Sequence, residues 1–261
     1  MWHADCLAGN RWQRIRIKKT MKNTLLFATM LAGAACILLP ATANAGPVPA
    51  GWSCTGGCGT DGADGDVPLS PLGNPSYEFV TTTGGISGMG QNPMTPPVSP
   101  TNGSLLTTPI FTAAANTTLS YYFNFITSDG GVYADNVWAV LYTSTGTPVA
   151  ELYNTTTAVT PYTIGLSTVS WLGSWSGQCF VGGCGSTGWQ SEVYTIVGAG
   201  DYYLGFGATN AFDQLYDTGL AIDGVAVNGV SISPVPEPAS MALLGTALAG
   251  LGLTMRRRKV I

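Results

Sequence analysis

From Asn23 to Met255 the chain contains no lysine, arginine or histidine. Whatever this stretch folds into must do so without an ion pair between a basic side chain and a carboxylate. Its acids have to be met by water, by hydroxyl and amide donors, by a proton or by a metal ion. The bases lie at the two ends. Arg11, Arg14, Arg16, Lys18, Lys19 and Lys22 stand in front, and Arg256, Arg257, Arg258 and Lys259 behind. The formal charge of −4 therefore averages three unlike parts: +5 over residues 1–45, −12 over 46–234 and +3 over 235–261.

This distribution excludes whole classes of function. A segment without Lys or Arg cannot neutralise phosphates, so nucleic acid is not a partner. It also has no histidine base, no Schiff-base lysine and no arginine clamp. Chemistry in the middle segment must rest on carboxylates, hydroxyls, amides, aromatic rings or a bound metal.

The front end is a targeting device. Met21-Lys22 precedes an apolar run from Leu25 to Leu39, which Pro40 ends. Ala43-Asn44-Ala45 then gives a small-x-small cleavage pattern before Gly46. A basic start, a short apolar run and Ala-x-Ala predict a Sec-type signal peptide over 21–45, handled by the Sec translocon and signal peptidase. Residues 1–20 read as an upstream extension.

The back end carries Pro236-Glu237-Pro238, an uncharged run over 239–255 and the cluster Arg256-Arg257-Arg258-Lys259. As a helix that run would be about 25 Å long, at the short end of a membrane span. The basic cluster would stay on the cytoplasmic side. The two ends predict one topology, with residues 46–234 across the membrane. The Pro-Glu-Pro motif, apolar helix and terminal Arg cluster resemble the PEP-CTERM sorting signal, over 235–261. The resemblance implies an exported protein of a Gram-negative bacterium that makes exopolysaccharide. It also implies processing near Pro-Glu-Pro by exosortase, an integral-membrane cysteine enzyme.

Residues 46–234 are long enough for one domain with a sizeable core. Short β-branched and aromatic runs alternate with Gly/Asn/Asp/Pro clusters, which predicts an all-β fold. The runs are 77–82, 104–111, 118–127, 137–143, 147–153, 192–197, 201–208 and 219–227. Over 118–127, Leu119, Tyr121, Phe123 and Phe125 share one face, as in a half-buried strand. The parity change at Asp223-Gly224 predicts a bulge. Eight short strands predict a single jelly-roll-like β-sandwich. The octapeptide Trp52–Gly59 and the run Tyr122–Gly130 resemble a recurrent domain of PEP-CTERM proteins that brings no known activity with it.

Three groups of residues could carry chemistry. Cys54, Cys58, Cys179 and Cys184 form two close pairs, and in an exported domain they predict local disulfides 54–58 and 179–184. A four-thiolate zinc site is the alternative. Asp61, Asp64 and Asp66 crowd one Gly-rich loop, Asp129 and Asp135 flank another, and Asp213 and Asp217 precede the strand carrying Asp223. Hard oxygens on flexible loops suit Ca²⁺, with Asp61, Asp64, Asp66, Asp129 and Asp135 as candidate ligands. Solvated turn carboxylates are the plain alternative. Trp171 and Trp175 flank Leu172-Gly173-Ser174 and form a candidate sugar platform, against ordinary core packing. The sequence thus predicts a non-enzymatic, exosortase-sorted surface or matrix protein associated with exopolysaccharide and biofilm. Its rivals are a calcium-dependent adhesion or carbohydrate-binding module and a carboxylate-based glycosidase.

Overall fold

A computed structural model describes residues 46–158, 163–164, 169–180 and 183–232. The expected signal peptide and the C-terminal sorting segment lie outside the described residues. Among the described residues no helix is long and apolar enough to cross a membrane.

The chain forms strands β1 (Ser53–Thr55), β2 (Gly57–Asp61), β3 (Tyr77–Thr81), β4 (Ile86–Ser87), β5 (Pro100–Thr107), β6 (Phe111–Ala113), β7 (Thr117–Thr127) and β8 (Asn136–Thr143). Then come β9 (Pro148–Thr156), β10 (Thr163–Ile164), a 3-10 helix (Ser170–Trp175), β11 (Gly185–Ser186), β12 (Gln190–Ile196), β13 (Gly200–Ala211), β14 (Thr218–Val227) and β15 (Val230–Ser231). Each of the eight expected runs overlaps a strand. The run 104–111 is shorter than expected: β5 stops at Thr107, before Pro109, which has no N–H for a ladder, and Phe111 opens the separate β6.

The strands make an antiparallel two-sheet sandwich. One sheet runs β1-β5-β13-β8-β9, with β4 beside β5 and β6 beside β13. The other runs β10-β11-β7-β14-β3-β2, with β12 also on β7 and β15 on β14. Period-two patterning explains how the sheets meet. Leu119, Tyr121, Phe123 and Phe125 of β7, with Leu220 and Ile222 of β14, face Val137, Ala139 and Leu141 of β8 and Leu204, Phe206 and Ala208 of β13. This is the main core. The register of β14 on β7 shifts between Asp223 and Ala226, where Gly224 takes φ +65°, so the expected bulge is present.

The far end of β7 is buried on both faces, rather than half-buried: Phe125, Ile126 and Thr127 are all fully covered. The cause is a second apolar cluster on the outer face of its sheet. Tyr77, Phe79, Ile126 and Ala221 pack there against Val67, Val169, Trp171 and Leu172, so the 3-10 helix forms a third layer.

Both expected disulfides are formed, with Cα separations of 5.9 Å for Cys54–Cys58 and 5.2 Å for Cys179–Cys184. All four sulfurs are used, which leaves the four-thiolate zinc alternative without ligands. Cys54 lies on β1 of one sheet and Cys58 on β2 of the other, so the first bridge ties together an edge strand from each sheet. The chain turns between them at Gly56, with φ +92°, and a Cβ there would run into Ser104. The Ser104 hydroxyl accepts the Gly57 N–H at 2.7 Å and pins the crossing. Removing this bridge in a Cys54→Ser plus Cys58→Ser double variant is expected to cost about 2 kcal/mol, the chain-entropy value for so small a loop. Urea unfolding of the two oxidised proteins measures it.

Candidate groove, acidic pole and sorting motif

The outer face of the seven-stranded sheet that contains β8 and β13 is set by the residues out of phase with the core. In β8 these are Trp138, Val140 and Tyr142, and in β13 Tyr203, Gly205 and Gly207. Tyr142 and Tyr203 are direct cross-strand partners, with rings stacked 4.9 Å apart and 3° from parallel, each half-buried. Trp138 lies over Gly207 and is buried beneath the 88–92 segment; its indole N–H donates to the Gly90 carbonyl at 2.6 Å. A cavity of about 270 Å³ opens here, between Tyr142, Trp138 and Leu105 on the sheet and Met89 and Gln91 above it. The buried Asn92 anchors the rim by donating its amide to Glu151 at 2.7 Å. An aromatic floor with amide and carbonyl groups at the edge fits a polar ligand with apolar faces.

The sequence reading placed its aromatic platform elsewhere. Trp171 is only 4% exposed: its ring stacks on Phe79 at 5.0 Å and its N–H reaches Tyr77 Oη at 3.1 Å. It is a core residue and has no free face for a sugar, which corrects that expectation. Trp175 is half-buried against Tyr216, at 4.4 Å. The groove pair was missed because Tyr142 and Tyr203 are far apart in sequence. Their phase, opposite to Leu141 and Leu204, was the available signal.

The acids separate into three places. Asp61 and Asp64 hold the third layer: the Ser170 hydroxyl donates to Asp61 Oδ2 at 3.0 Å and the Ser170 N–H to Asp64 Oδ2 at 2.8 Å. Burial raises the Asp61 carboxyl above its usual range, against the hydrogen bonds from Gly62 and Ser170. The Asp66 carbonyl accepts from Ser186. Asp223 accepts from Ser70 and, at 2.9 Å, from Asn74, fixing the loop before β3.

The third place is one end of the sandwich, where β7 gives way to Asp129, β8 begins after Asp135, and the β13–β14 connection carries Asp213 and Asp217. Asp129 and Asp135 are each 1% exposed. The Asp135 oxygens accept from the Ala211 N–H at 2.8 Å and the Thr218 hydroxyl at 2.9 Å. Thr82 donates to Asp217 at 3.0 Å. Asp129 accepts the Gly130 N–H on one oxygen, and its side chain lies within hydrogen-bonding reach of Asp135. Burial pushes Asp129 up to about 7, with Asp213 and Asp217 adding repulsion. Burial also drives Asp135 well above the carboxylate range, helped by the Asp129 charge. Phe180 and Gly183, inside the second disulfide, cover this end. Phe180 N–H bonds the Ser128 carbonyl at 3.0 Å, and Gly183 sits so close to Gly130 that a Cβ would collide with its backbone. Among the described residues no three His, Cys, Asp or Glu side chains form a ready metal centre.

The fold and its address define the class: an antiparallel β-sandwich carrying two disulfides, followed by a short segment that directs it. Residues 234–259 match the model of the PEP-CTERM protein-sorting motif, so the chain carries that motif, and with it Pro236-Glu237-Pro238 and Arg256-Arg257-Arg258. The motif implies export and processing by exosortase. It occupies the last tenth of the chain and leaves the sandwich unassigned. The sequence matches no curated protein. Among solved structures, the K1 cleaved adhesin domain of Lys-gingipain from Porphyromonas gingivalis W83 is similar over 69% of this chain and 96% of its own, with 14% identity and a TM-score of 0.35. The K2 domain of the same protein is similar over 72% and 93%, with 16% identity and a TM-score of 0.40. TmCBM61, solved in complex with β-1,4-galactotriose, is similar over 69% and 89%, with 6% identity and a TM-score of 0.34. At these scores the likenesses carry no functional argument.

Proposed function

We propose that this is an exosortase-processed protein of the cell surface or extracellular matrix whose sandwich binds exopolysaccharide without cleaving it, through the Tyr142–Tyr203 groove. Residues 21–45 are the leader, cut between Ala45 and Gly46. Residues 235–261, with an apolar helix over 239–255, hold the precursor in the membrane until exosortase acts. The observation that carries the binding reading is the stacked tyrosine pair beside a 270 Å³ cavity. Aromatic faces receive the C–H faces of sugar rings, while Gln91 and the loop carbonyls can meet hydroxyl groups. Among the described residues the acid tied to the groove rim is Glu151, whereas glycoside hydrolysis ordinarily needs two opposed carboxyls.

The test is affinity electrophoresis of the purified full-length protein through the producing cell's own exopolysaccharide. Tyr142→Ala and Tyr203→Ala are each expected to weaken retardation about tenfold, equivalent to roughly 1.4 kcal/mol, with little change in melting temperature. Unchanged retardation in both variants, or release of reducing ends by the wild-type protein, would overturn the proposal.

A further inference from the structure

At the acidic end of the sandwich every donor that the fold can offer is neutral, and several buried oxygens have none. Asp129 Oδ2, Asn136 Oδ1, Thr157 Oγ1, Thr209 Oγ1 and Asn210 Oδ1 are buried without a hydrogen-bond partner. Asn210 precedes Ala211, whose N–H holds Asp135, while Asn136 and its cross-strand partner Thr209 lie in phase with Trp138 and Gly207 on the outer face. The Thr157 N–H, in turn, holds the Asp135 carbonyl at 2.9 Å. The unpartnered Asp129 oxygen belongs to a carboxyl within hydrogen-bonding reach of a second carboxyl. Two buried carboxyls in contact need a shared proton or a cation between them, and no basic side chain exists from residue 23 to residue 255 to supply the charge.

We propose that Asp129 and Asp135 bind one Ca²⁺ ion, completed by neutral oxygens of this end of the sandwich and covered by Phe180 and Gly183. Ca²⁺ takes six to eight oxygen ligands, and amide, hydroxyl and carbonyl oxygens serve alongside carboxylates. Two charged ligands are therefore enough, even though no three acids converge among the described residues. Zinc is disfavoured because nitrogen and thiolate ligands are lacking: the nearby sulfurs are bonded to each other. The Asp61–Asp64–Asp66 loop does not compete, because Asp61 and Asp64 already hold Ser170. This inference is independent of the Tyr142–Tyr203 groove, which lies on the outer face of the seven-stranded sheet.

The full-length protein, freed of metal with a chelator, is titrated with CaCl₂ or MgCl₂ at neutral pH and followed by calorimetry and thermal melting. One Ca²⁺ per chain is expected, with a melting temperature raised by about 5–10 °C at calcium a hundredfold above its Kd, and a smaller response to Mg²⁺. Asp129→Asn is expected to weaken calcium binding at least tenfold while leaving the metal-free melting temperature unchanged or higher, because it relieves the carboxyl pair. Tb³⁺ gives a readout that needs no variant. The ring cluster Tyr133, Phe180, Tyr216 and Trp175 adjoins the site, so bound Tb³⁺ should luminesce on ring excitation and be displaced by Ca²⁺. No heat and no melting shift in the wild-type protein up to about 10 mM Ca²⁺ would show that the pair shares a proton instead, and would overturn the site. An unchanged Kd in Asp129→Asn would overturn it equally. Polysaccharide retardation in chelator separates this outcome from a failure of the groove.

Discussion

Replacing Gly207 by valine is expected to destabilise the sandwich by about 3–5 kcal/mol, the range for losing a buried large aromatic side chain. Gly207 is the partner of Trp138 across β13 and β8, and a Cβ built on it would collide with the indole ring. The strand cannot move away, because β13 is hydrogen-bonded to β5 on one side and β8 on the other. The indole must leave instead. Trp138 is 1% exposed, so its departure forfeits its burial, and it leaves the Gly90 carbonyl without its donor. The 88–92 segment then loses its floor, and the groove should fail together with stability. Urea unfolding monitored by tryptophan fluorescence measures the loss, and Gly207→Ala should fall between the two. A loss below about 1 kcal/mol for the valine variant would mean that the ring swings aside freely, contrary to its packing.

Stability should fall as pH rises through neutrality. Glu78 lies on β3, 5% exposed, with one oxygen lacking a partner. Burial, then repulsion from Asp223, pushes its carboxyl from 4.5 up to about 7. An unfolded chain releases this proton near 4.5, while the native protein keeps it to about 7, so between those values the native state binds more protons. The stabilisation is complete below pH 4.5 and is lost as pH rises through 7, a swing of about 3 kcal/mol. Asp61, Asp129, Asp135, Glu192 and Asp217 are pushed in the same direction, each chiefly by burial. In chelator the melting temperature is therefore expected to be higher at pH 5 than at pH 8. Glu78→Gln, which keeps the shape without the charge, should flatten much of the slope and stabilise the protein at pH 8. A wild-type protein that melts higher at pH 8 than at pH 5 would contradict this account.

The strand order of the sandwich was not legible in the sequence, but most of its strands were. Alternation marks a face, so Leu119, Tyr121, Phe123 and Phe125 declared the core side of β7 before any neighbour was known. What alternation cannot mark is a second cover. Ile126 and Ala221 look like ordinary outward residues until Trp171 and Leu172 are placed over them by a 3-10 helix that has no period of its own. For the same reason the half-buried pair Tyr142/Tyr203 and the buried Trp171 exchange places: composition counts rings but cannot tell which are roofed. The β1–β2 corner was also hidden, because Ser53–Asp61 reads as a cysteine loop of glycines. Its strands exist because β5 and β3 offer them open edges. The acids were easier. Asp129 and Asp135 were nominated from their flanking position alone, and the chain folds them into contact. Asp61 and Asp64, nominated on density, proved to be fasteners for Ser170.

The Gly46–Thr60 bridge bears on the order of events during export. Gly46 donates its N–H to the Thr60 carbonyl at 2.7 Å and accepts the Thr60 N–H at 2.9 Å, so the residue after the expected cleavage point is already stitched to β2. A signal peptidase needs the Ala45–Gly46 peptide extended and unpaired in its own cleft. The two arrangements exclude one another. On the expected cut, removal of the leader would therefore precede closure of this edge of the sandwich. The ammonium that such a cut would free on Gly46 would be the sole positive charge of residues 46–234 and would enter the sheet as its first rung.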